Sequence, residues 1–273
     1  MTLQKLRVSD ATHFNSHELA TILNRCFEGY LVPFTLEGEM FASRFAAESL
    51  SLADSRIWLE DETPVALALI TRRGWRSRLA AFAIRPQWRG NGYGKAMMQS
   101  LLAEARARGD NEMIVEVIKG NDAAQRLYES VGFTREYRLR SFTSVGAAEQ
   151  TASFTLQPFD PERVAGMIMG EPHALPWLIH PLTALALPGV GVALENSAFA
   201  IVNTLFREPQ LRALYVTPEA RGQGYASRLL AQLAAAFPGI IAPCAVPDEL
   251  SGLFERNGWR EQNIQQYQLR QTL

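Results

Sequence analysis

Cysteine is scarce in this 273-residue chain: Cys26 and Cys244 are the only two, far apart and outside any Cys-x-x-Cys pattern. That argues against a disulfide framework and a cysteine-ligated structural metal, and it fits a reducing compartment. Excess charge is lacking as well. The 27 Lys and Arg balance 28 Asp and Glu to a net charge of −1, so there is no bulk attraction to nucleic acid or to an anionic membrane. Lysine occurs only at Lys5, Lys95 and Lys119, with arginine elsewhere, a bias read as composition rather than function. The opening MTLQKLRVSDATHF holds no apolar core of signal-peptide length. A stretch without formal charge runs from His173 to Leu194, but Pro176, Pro181, Pro188, Gly189 and Gly191 would break a helix there repeatedly. With 47% hydrophobic and 20% charged residues the chain can bury a core. The expectation is a folded cytoplasmic protein of one large or two medium domains, with no nucleic-acid or membrane partner.

What is present is an internal repeat. Ala83-Ile-Arg-Pro-Gln-Trp-Arg89-Gly90-Asn91-Gly92-Tyr93-Gly94 matches Tyr215-Val-Thr-Pro-Glu-Ala-Arg221-Gly222-Gln223-Gly224-Tyr225-Ala226 at a constant offset. Apolar runs precede both, Leu79 to Ile84 and Leu211 to Val216, and read as strands. Helical faces follow both: Met97, Met98, Leu101, Leu102 and Ala105, closed by Gly109, and Leu229, Leu230, Leu233 and Ala234, closed by Pro238-Gly239. Further on, Leu127-Tyr128-Glu129-Ser130-Val131-Gly132-Phe133 parallels Leu253-Phe254-Glu255-Arg256-Asn257-Gly258-Trp259. Upstream hairpins are expected at Ile57–Glu60 with Pro64–Ile70, and at Val190–Glu195 with Ala198–Val202. Each half is a mixed α/β unit, and the boundary is expected in the unpatterned segment Gly146–Thr151.

A turn of the form Arg-x-x-Gly-x-Gly between strand and helix has a physical use. The first N–H groups of the helix are unpaired, the helix dipole adds partial positive charge, and glycine lets an anion approach the backbone. Lys95 adds a cation. The spacing is neither the dinucleotide G-x-G-x-x-G fingerprint nor a Walker loop.

These turns resemble the pyrophosphate-binding signature Arg/Gln-x-x-Gly-x-Gly/Ala of the GNAT N-acetyltransferase superfamily, carried by Arg89, Gly92 and Gly94 and again by Arg221, Gly224 and Ala226. The resemblance covers both halves. It implies two tandem GNAT-like folds, each a mixed α/β structure with a mostly antiparallel sheet flanked by helices, divided at 1–148 and 149–273 and packed as a pseudo-dimer within one chain. It implies acetyl-CoA as co-substrate and no metal. Arg89, Gly90, Asn91, Gly92, Tyr93, Gly94 and Lys95 would hold the pyrophosphate through their backbone, and Phe82, Ala83 and Ile84 would pair with the pantetheine arm like an added strand. A backbone N–H of that strand would face the developing oxyanion. The strands between the two signatures would splay to admit the cofactor.

Asn121 reads as a helix N-cap and Gly132 as the residue past the helix end. Ala124, Leu127, Tyr128 and Val131 fall on one helical stripe, which by periodicity makes Tyr128 a core aromatic. The resemblance offers another reading: Asn-x-x-Ala-x-x-Leu-Tyr-x-x-x-Gly-Phe is the second GNAT signature, in which the asparagine contacts the cofactor arm and the tyrosine protonates the departing thiolate. A phenol of pKa about 10 can donate to a thiolate whose conjugate acid is near 8.5. The attacking amine must be neutral, which at pH 7 costs about 4.6 kcal/mol for a lysine-like amine and about 1 kcal/mol for an α-amino group. Glu116 is either the base that helps or a solvent-facing strand residue; its spacing from the tyrosine is similar to that of the ribosomal-protein alanine N-acetyltransferases. Glu60, Asp61 and Glu62 are weaker candidates.

By the same resemblance the acceptor pocket is built from His17 to Ser49. Phe27, Tyr30 and Phe34 either line it or belong to the core, and Glu28 and Glu37 either attract a cationic amine or are solvated. A peptide N-terminus, a polyamine-like metabolite, an aminoglycoside and a small amino compound all remain open as acceptor. The leading expectation is acetyl transfer to a primary amine in the first half; the alternative is an acyl-CoA-binding sensor without turnover. The second half is expected to be catalytically dead, because Phe254 stands opposite Tyr128, Ala242 opposite Glu116 and Pro247 opposite Asn121.

Overall fold

The computed structural model describes residues 6–145, 155–172 and 174–273. In chain order its elements are β1 (Arg7–Asp10), α1 (Ser16–Cys26), α2 (Gly38–Ala47), β2 (Leu50–Glu60), β3 (Thr63–Arg73), β4 (Arg76–Ile84), α3 (Tyr93–Ala107), β5 (Glu112–Ile118) and α4 (Asp122–Glu129). There follow β6 (Thr134–Ser144), β7 (Gln157–Phe159), α5 (Pro161–Met169), α6 (Pro181–Leu185), β8 (Gly189–Leu194), β9 (Ala198–Asn203) and β10 (Gln210–Val216). The chain ends with α7 (Tyr225–Ala236), β11 (Ile241–Pro247), α8 (Ser251–Arg256), β12 (Trp259–Glu261) and β13 (Gln266–Thr272). These form two compact units: residues up to Glu136 together with Tyr267–Leu273, and Tyr137–Gln266. The boundary segment expected at Gly146–Thr151 lies outside the described residues.

The first unit has strand order β1-β2-β3-β4-β5-β13. β1 to β4 pair antiparallel, and β4 and β5 run parallel. Val65 to Ile70 of β3 form a continuous apolar run, each residue at most 1% exposed, because the sheet is covered on both faces. On one face lie Met97, Met98, Leu101, Leu102 and Ala105 of α3, the stripe read from the sequence, with Leu79, Val115 and Tyr128. On the other lie Leu19 and Leu23 of α1 and Phe41 and Phe45 of α2, against Leu67 and Leu69. Asn15 and Glu18 close a capping box that starts α1 where its apolar stripe begins. The C-terminal strand contributes Leu269, fully buried, to the α3 side.

The second unit has the order β6-β11-β10-β9-β8-β7, with β12 also against β6. Here too the ladders are antiparallel apart from one parallel pair, β10 with β11. Leu229, Leu230, Leu233 and Ala234 of α7 fill one face, and Val164, Ala165 and Ala184 of α5 and α6 cover the other. The uncharged stretch is broken at its prolines: α6 begins at Pro181 and ends at Leu185, and β8 begins at Gly189. No helix among the described residues is long and apolar enough to cross a membrane.

Gly191 marks a close approach. A Cβ built there would lie 2.4 Å from the Phe159 carbonyl oxygen and 2.9 Å from the Pro161 nitrogen, both backbone atoms that cannot swing aside. Gly191→Ala is therefore expected to push β7 off β8 and to destabilise the protein by about 1–3 kcal/mol, read as a lowered urea midpoint. An unchanged midpoint would show that β7 yields freely.

Candidate active site

The site grows from the way β4 and β5 part. Their parallel ladder pairs Arg76 with Glu112, Ser77 with Met113, Arg78 with Ile114 and Leu79 with Val115, and then stops. β4 continues to Ile84 and β5 to Ile118 without further pairing. Phe82, Ala83 and Ile84 are held from the other side by Ala68, Leu67 and Ala66 of β3, so their edge toward β5 is open. This is the splay expected between the two signatures.

Beyond Ile84, a short 3-10 turn (Pro86–Trp88) leads into the glycine turn. Gly90 and Gly92 both have φ of 79°, and Gly92 is the N-cap of α3. Left-handed backbone of this kind suits glycine and leaves the chain bare: a methyl group added at either position would meet nothing within 4 Å. Among the described residues, the backbone N–H groups of Gly90, Asn91, Gly92, Tyr93, Gly94 and Lys95 have no hydrogen-bond acceptor. Asn91 turns its side-chain amide back toward the Trp88 and Arg89 carbonyls at 3.5 and 3.4 Å. The Tyr93 side chain is buried near Trp88, ring centres 6.0 Å apart, so only its backbone faces the turn. Gly94 lets Leu127 of α4 come close, 3.2 Å from where a Cβ would stand, and Lys95 is exposed.

Arg89 is a strut. It donates from Nε to the Ile84 carbonyl at 2.8 Å and from a terminal nitrogen to the Cys26 and Glu28 carbonyls, both at 3.0 Å. The motif arginine thereby ties the end of β4 to the loop after α1. Arg221 repeats the strut in the second unit, with Nε to the Val216 carbonyl at 3.1 Å and a terminal nitrogen to Glu171 at 2.5 Å.

Asn121 is the N-cap of α4, as read from the sequence: its Oδ1 accepts from the Ala124 N–H at 3.2 Å. Its Nδ2 donates to the Tyr30 hydroxyl at 3.4 Å, which brings the loop after α1 to the head of α4. Tyr128 is 5% exposed, as its place on the buried stripe requires, and packs on Phe133 with ring centres 5.8 Å apart. Burial pushes its phenol above the usual tyrosine range, and Tyr30 and Glu116 push it further. Tyr30 is raised by burial too, against the opposing hydrogen bond from Asn121.

Glu116 is not a solvent-facing residue. Its side chain is 6% exposed and accepts from Arg78 Nε at 2.7 Å. Arg78, itself 5% exposed, donates from its other end to Glu48 at 2.6 Å, and Arg44 closes on the second Glu48 oxygen at 3.1 Å. The sequence reading missed Arg78 and Glu48. The available signal was an arginine placed directly before the apolar run Leu79 to Ile84. Glu60, Asp61 and Glu62 sit together at the exposed β2–β3 turn, where Glu62 pairs with Arg7 at 2.8 Å.

Phe27 lies 4.9 Å from Tyr30 and 5.5 Å from Phe34, ring centre to ring centre. With Thr21, Asn24 and Glu28 they line an open depression of about 590 Å³; Glu37 instead stands at the N-cap of α2. In the second unit, Gly222 and Gly224 repeat the left-handed turn with φ of 76° and 81°. There β10 and β11 pair only at Gln210 and Ile241 before parting. An apolar cleft of about 400 Å³ follows, lined by Leu211, Val216, Val246, Leu253 and Phe254 among others. Phe254 is stacked on Phe142, ring centres 4.9 Å apart.

Residues 16–133 match the family described as Acetyltransferase (GNAT) family. Over 116 residues the chain is 30% identical to the [ribosomal protein bS18]-alanine N-acetyltransferase of Haemophilus ducreyi, covering 41% of this chain and 76% of that protein. The chain belongs to the GNAT acetyltransferase family. This GNAT protein is an acyltransferase, and it is also 46% identical over 52 residues to a mycothiol acetyltransferase of Thermobispora bispora, 19% of this chain and 18% of that one. Among solved structures, a GCN5-related N-acetyltransferase from Sphaerobacter thermophilus aligns with a TM-score of 0.69 at 15% identity, over 98% of this chain and 96% of the other. A tandem GNAT protein from the clavulanic acid biosynthesis pathway aligns at 0.64 and 10% identity, over 98% of both chains. These two share the fold, and the second shares the doubled arrangement.

Burial works against ionisation of Glu48, but Arg78 and Arg44 outweigh it and hold its carboxyl below the usual range. A carboxyl depressed in the native state contributes stability that is present above its unfolded pKa, about 4.3, and lost as pH falls through the lower native value. The urea midpoint of the wild type should therefore fall between pH 5 and pH 3, and more steeply than that of Glu48→Gln. Parallel declines would show that Glu48 is not held as an ion.

Proposed function

We propose that the first unit transfers an acetyl group from acetyl-CoA to a primary amine in the cytoplasm, and that the second unit turns nothing over. The observation that supports this reading is the open edge of β4 leading to the bare amides of the glycine turn, with Glu116 the first β5 residue beyond the ladder and Tyr128 near enough to feel its charge. The donor set fits the cofactor. Six unpaired N–H groups at the head of a helix suit the oxygens of a pyrophosphate, and the free edge of Phe82, Ala83 and Ile84 suits an extended amide-bearing arm.

Acetyl-CoA, when bound, supplies the activated acyl group and a thiolate that must leave. Tyr128 holds the proton needed at that sulfur, and burial keeps it on the hydroxyl at neutral pH. The same dehydration raises the proton affinity of a thiolate beside it, so the donor and acceptor rise together. Glu116 takes the proton of the incoming amine, directly or through water. A backbone N–H on the open edge of β4 faces the oxygen where charge develops. An α-amino acceptor asks least of Glu116, since it needs only about 1 kcal/mol to become neutral at pH 7. Phe27, Tyr30 and Phe34 receive that acceptor, with Glu28 as the acid of a depression that Arg25 and Asn24 also line. The Haemophilus ducreyi relative, an alanine N-acetyltransferase, makes a peptide with an amino-terminal alanine the first acceptor to try, within a panel of amines scored by mass spectrometry.

In the second unit Phe254 has no proton to give, and the strand offers no acid. Counting from the ladder pair of Gln210 with Ile241, Pro243 takes the place of Glu116, one residue from the Ala242 of the motif alignment. Binding without turnover is thus the role of this half alone, supported by its intact turn and its open cleft.

Tyr128→Phe should lower kcat by about 10²- to 10⁴-fold while CoA affinity, measured by calorimetry, changes less than threefold. Phe254→Ala should cost stability, about 3–5 kcal/mol, with kcat retained in the folded fraction. Near-full activity in Tyr128→Phe, with activity lost on disrupting Arg221 to Ala226, would place the chemistry in the other half.

A further inference from the structure

Three charged side chains are buried together in the first unit with no apolar reason to be there. Arg78, on β4, is flanked by Glu48 at 2.6 Å and Glu116 at 2.7 Å, and all three side chains are at most 6% exposed. Burying such a triad is costly. Replacing buried ion groups by apolar ones of similar volume is often neutral or stabilising, so stability does not account for it. Local structure also runs against it. Glu48 is the C-cap of α2, where the helix dipole disfavours an acid, and Ser49 after it is forced to a φ of 65°.

The second unit shows that the fold does without the triad. Counting back along the shared motif, Gln210 stands where Arg78 stands, and the ladder confirms the match, pairing Gln210 with Ile241 as Arg78 pairs with Ile114. Pro243 then takes the place of Glu116. The copy that keeps the sheet and the turn has lost the tyrosine and these two charges together.

Position gives the triad its meaning. Arg78 lies in the penultimate pair of the ladder, and Glu116 is the first β5 residue after the ladder ends. Ile114 and Glu116 alternate with Val115 and Val117, which belong to the α3 side, so Glu116 points toward α1 and α2, where the acceptor loop lies. We propose that Arg78, backed by Glu48, is a positioning residue of the acetyl-transfer site that holds the Glu116 carboxylate where β4 and β5 part. One Glu116 oxygen is fixed on Arg78 Nε, which leaves the other to meet the incoming amine. This inference rests on the reading of Glu116 given above.

The test compares three variants with the wild type. Arg78→Gln alone leaves two buried carboxylates facing each other and can unfold the protein. The double variant Glu48→Gln/Arg78→Gln keeps the net charge of the triad and borrows the amide that the second unit uses. In it, kcat for the best amine of the panel is expected to fall 10- to 100-fold while CoA affinity and the KM for acetyl-CoA stay within threefold. Arg78→Lys, which can reach one carboxylate but not span both, should fall between the two. A crystal structure of the double variant should show the Glu116 carboxylate displaced from its wild-type position. If the double variant folds, binds CoA and keeps kcat within threefold of wild type, or if Glu116 has not moved, Arg78 does not position it. Glu116→Gln decides the underlying reading separately: wild-type turnover there removes Glu116 as the base, while the displacement in the crystal still shows whether Arg78 places it.

Discussion

The end of one hydrogen-bond ladder governs this molecule. Strands β4 and β5 pair through Leu79 and Val115 and then separate, and everything described at the site follows from that separation. The free edge of β4 is left without a neighbour, Glu116 becomes the first residue of β5 without a β4 partner, and the glycine turn beyond Ile84 opens at the head of the gap. A continuous ladder would have satisfied more backbone groups and closed the gap. The sheet tolerates the loss because β3 holds β4 firmly on its other side, with an apolar run buried on both faces, and because α3 and α4 pack under the gap.

Much of this was legible in the sequence, and for local reasons. The glycine turns announce themselves because only a residue without a Cβ readily accepts the φ of 79° found at Gly90 and Gly92, and a doubled motif is hard to mistake. The apolar stripe of α3 and the cap at Asn121 depend on neighbours within a turn or two of helix. What escaped was non-local. Glu48 and Arg78 are separated by 30 positions, and Arg78 and Glu116 by 38; no periodicity links them, and each in isolation reads as a surface charge. The strut role of Arg89 was hidden for the same reason, since its partners are carbonyls of a loop 61 and 63 residues earlier. The burial of Glu116 could not be told from exposure by strand alternation alone, because polar residues inside a sheet face are the exception that alternation assumes away.

The second unit works as an internal comparison. It keeps the turn, the strut arginine and the parted strands, and these are the features that the backbone itself requires. It lacks the phenol and the buried acid–guanidinium pair; its own buried arginine on β10, Arg212, meets the Gln210 side chain and the Leu178 carbonyl instead. Phe254, opposite Tyr128 in the motif, stacks on Phe142 with ring centres 4.9 Å apart and lines the cleft. Duplication thus separates what the fold needs from what the proposed chemistry needs.

The strand order of the first unit carries one more consequence. Its last strand, β13, is made from the final residues of the chain, with Arg270 paired to Glu112 at 3.2 Å and Leu269 in the core beside Phe133. A ribosome that has finished the whole of the motif-bearing half still holds a sheet with β5 exposed at its edge, and the strand that covers it is made only after the second unit. Maturation of the first unit is therefore tied to synthesis of the second: the half made first becomes whole only when the half made second has been delivered.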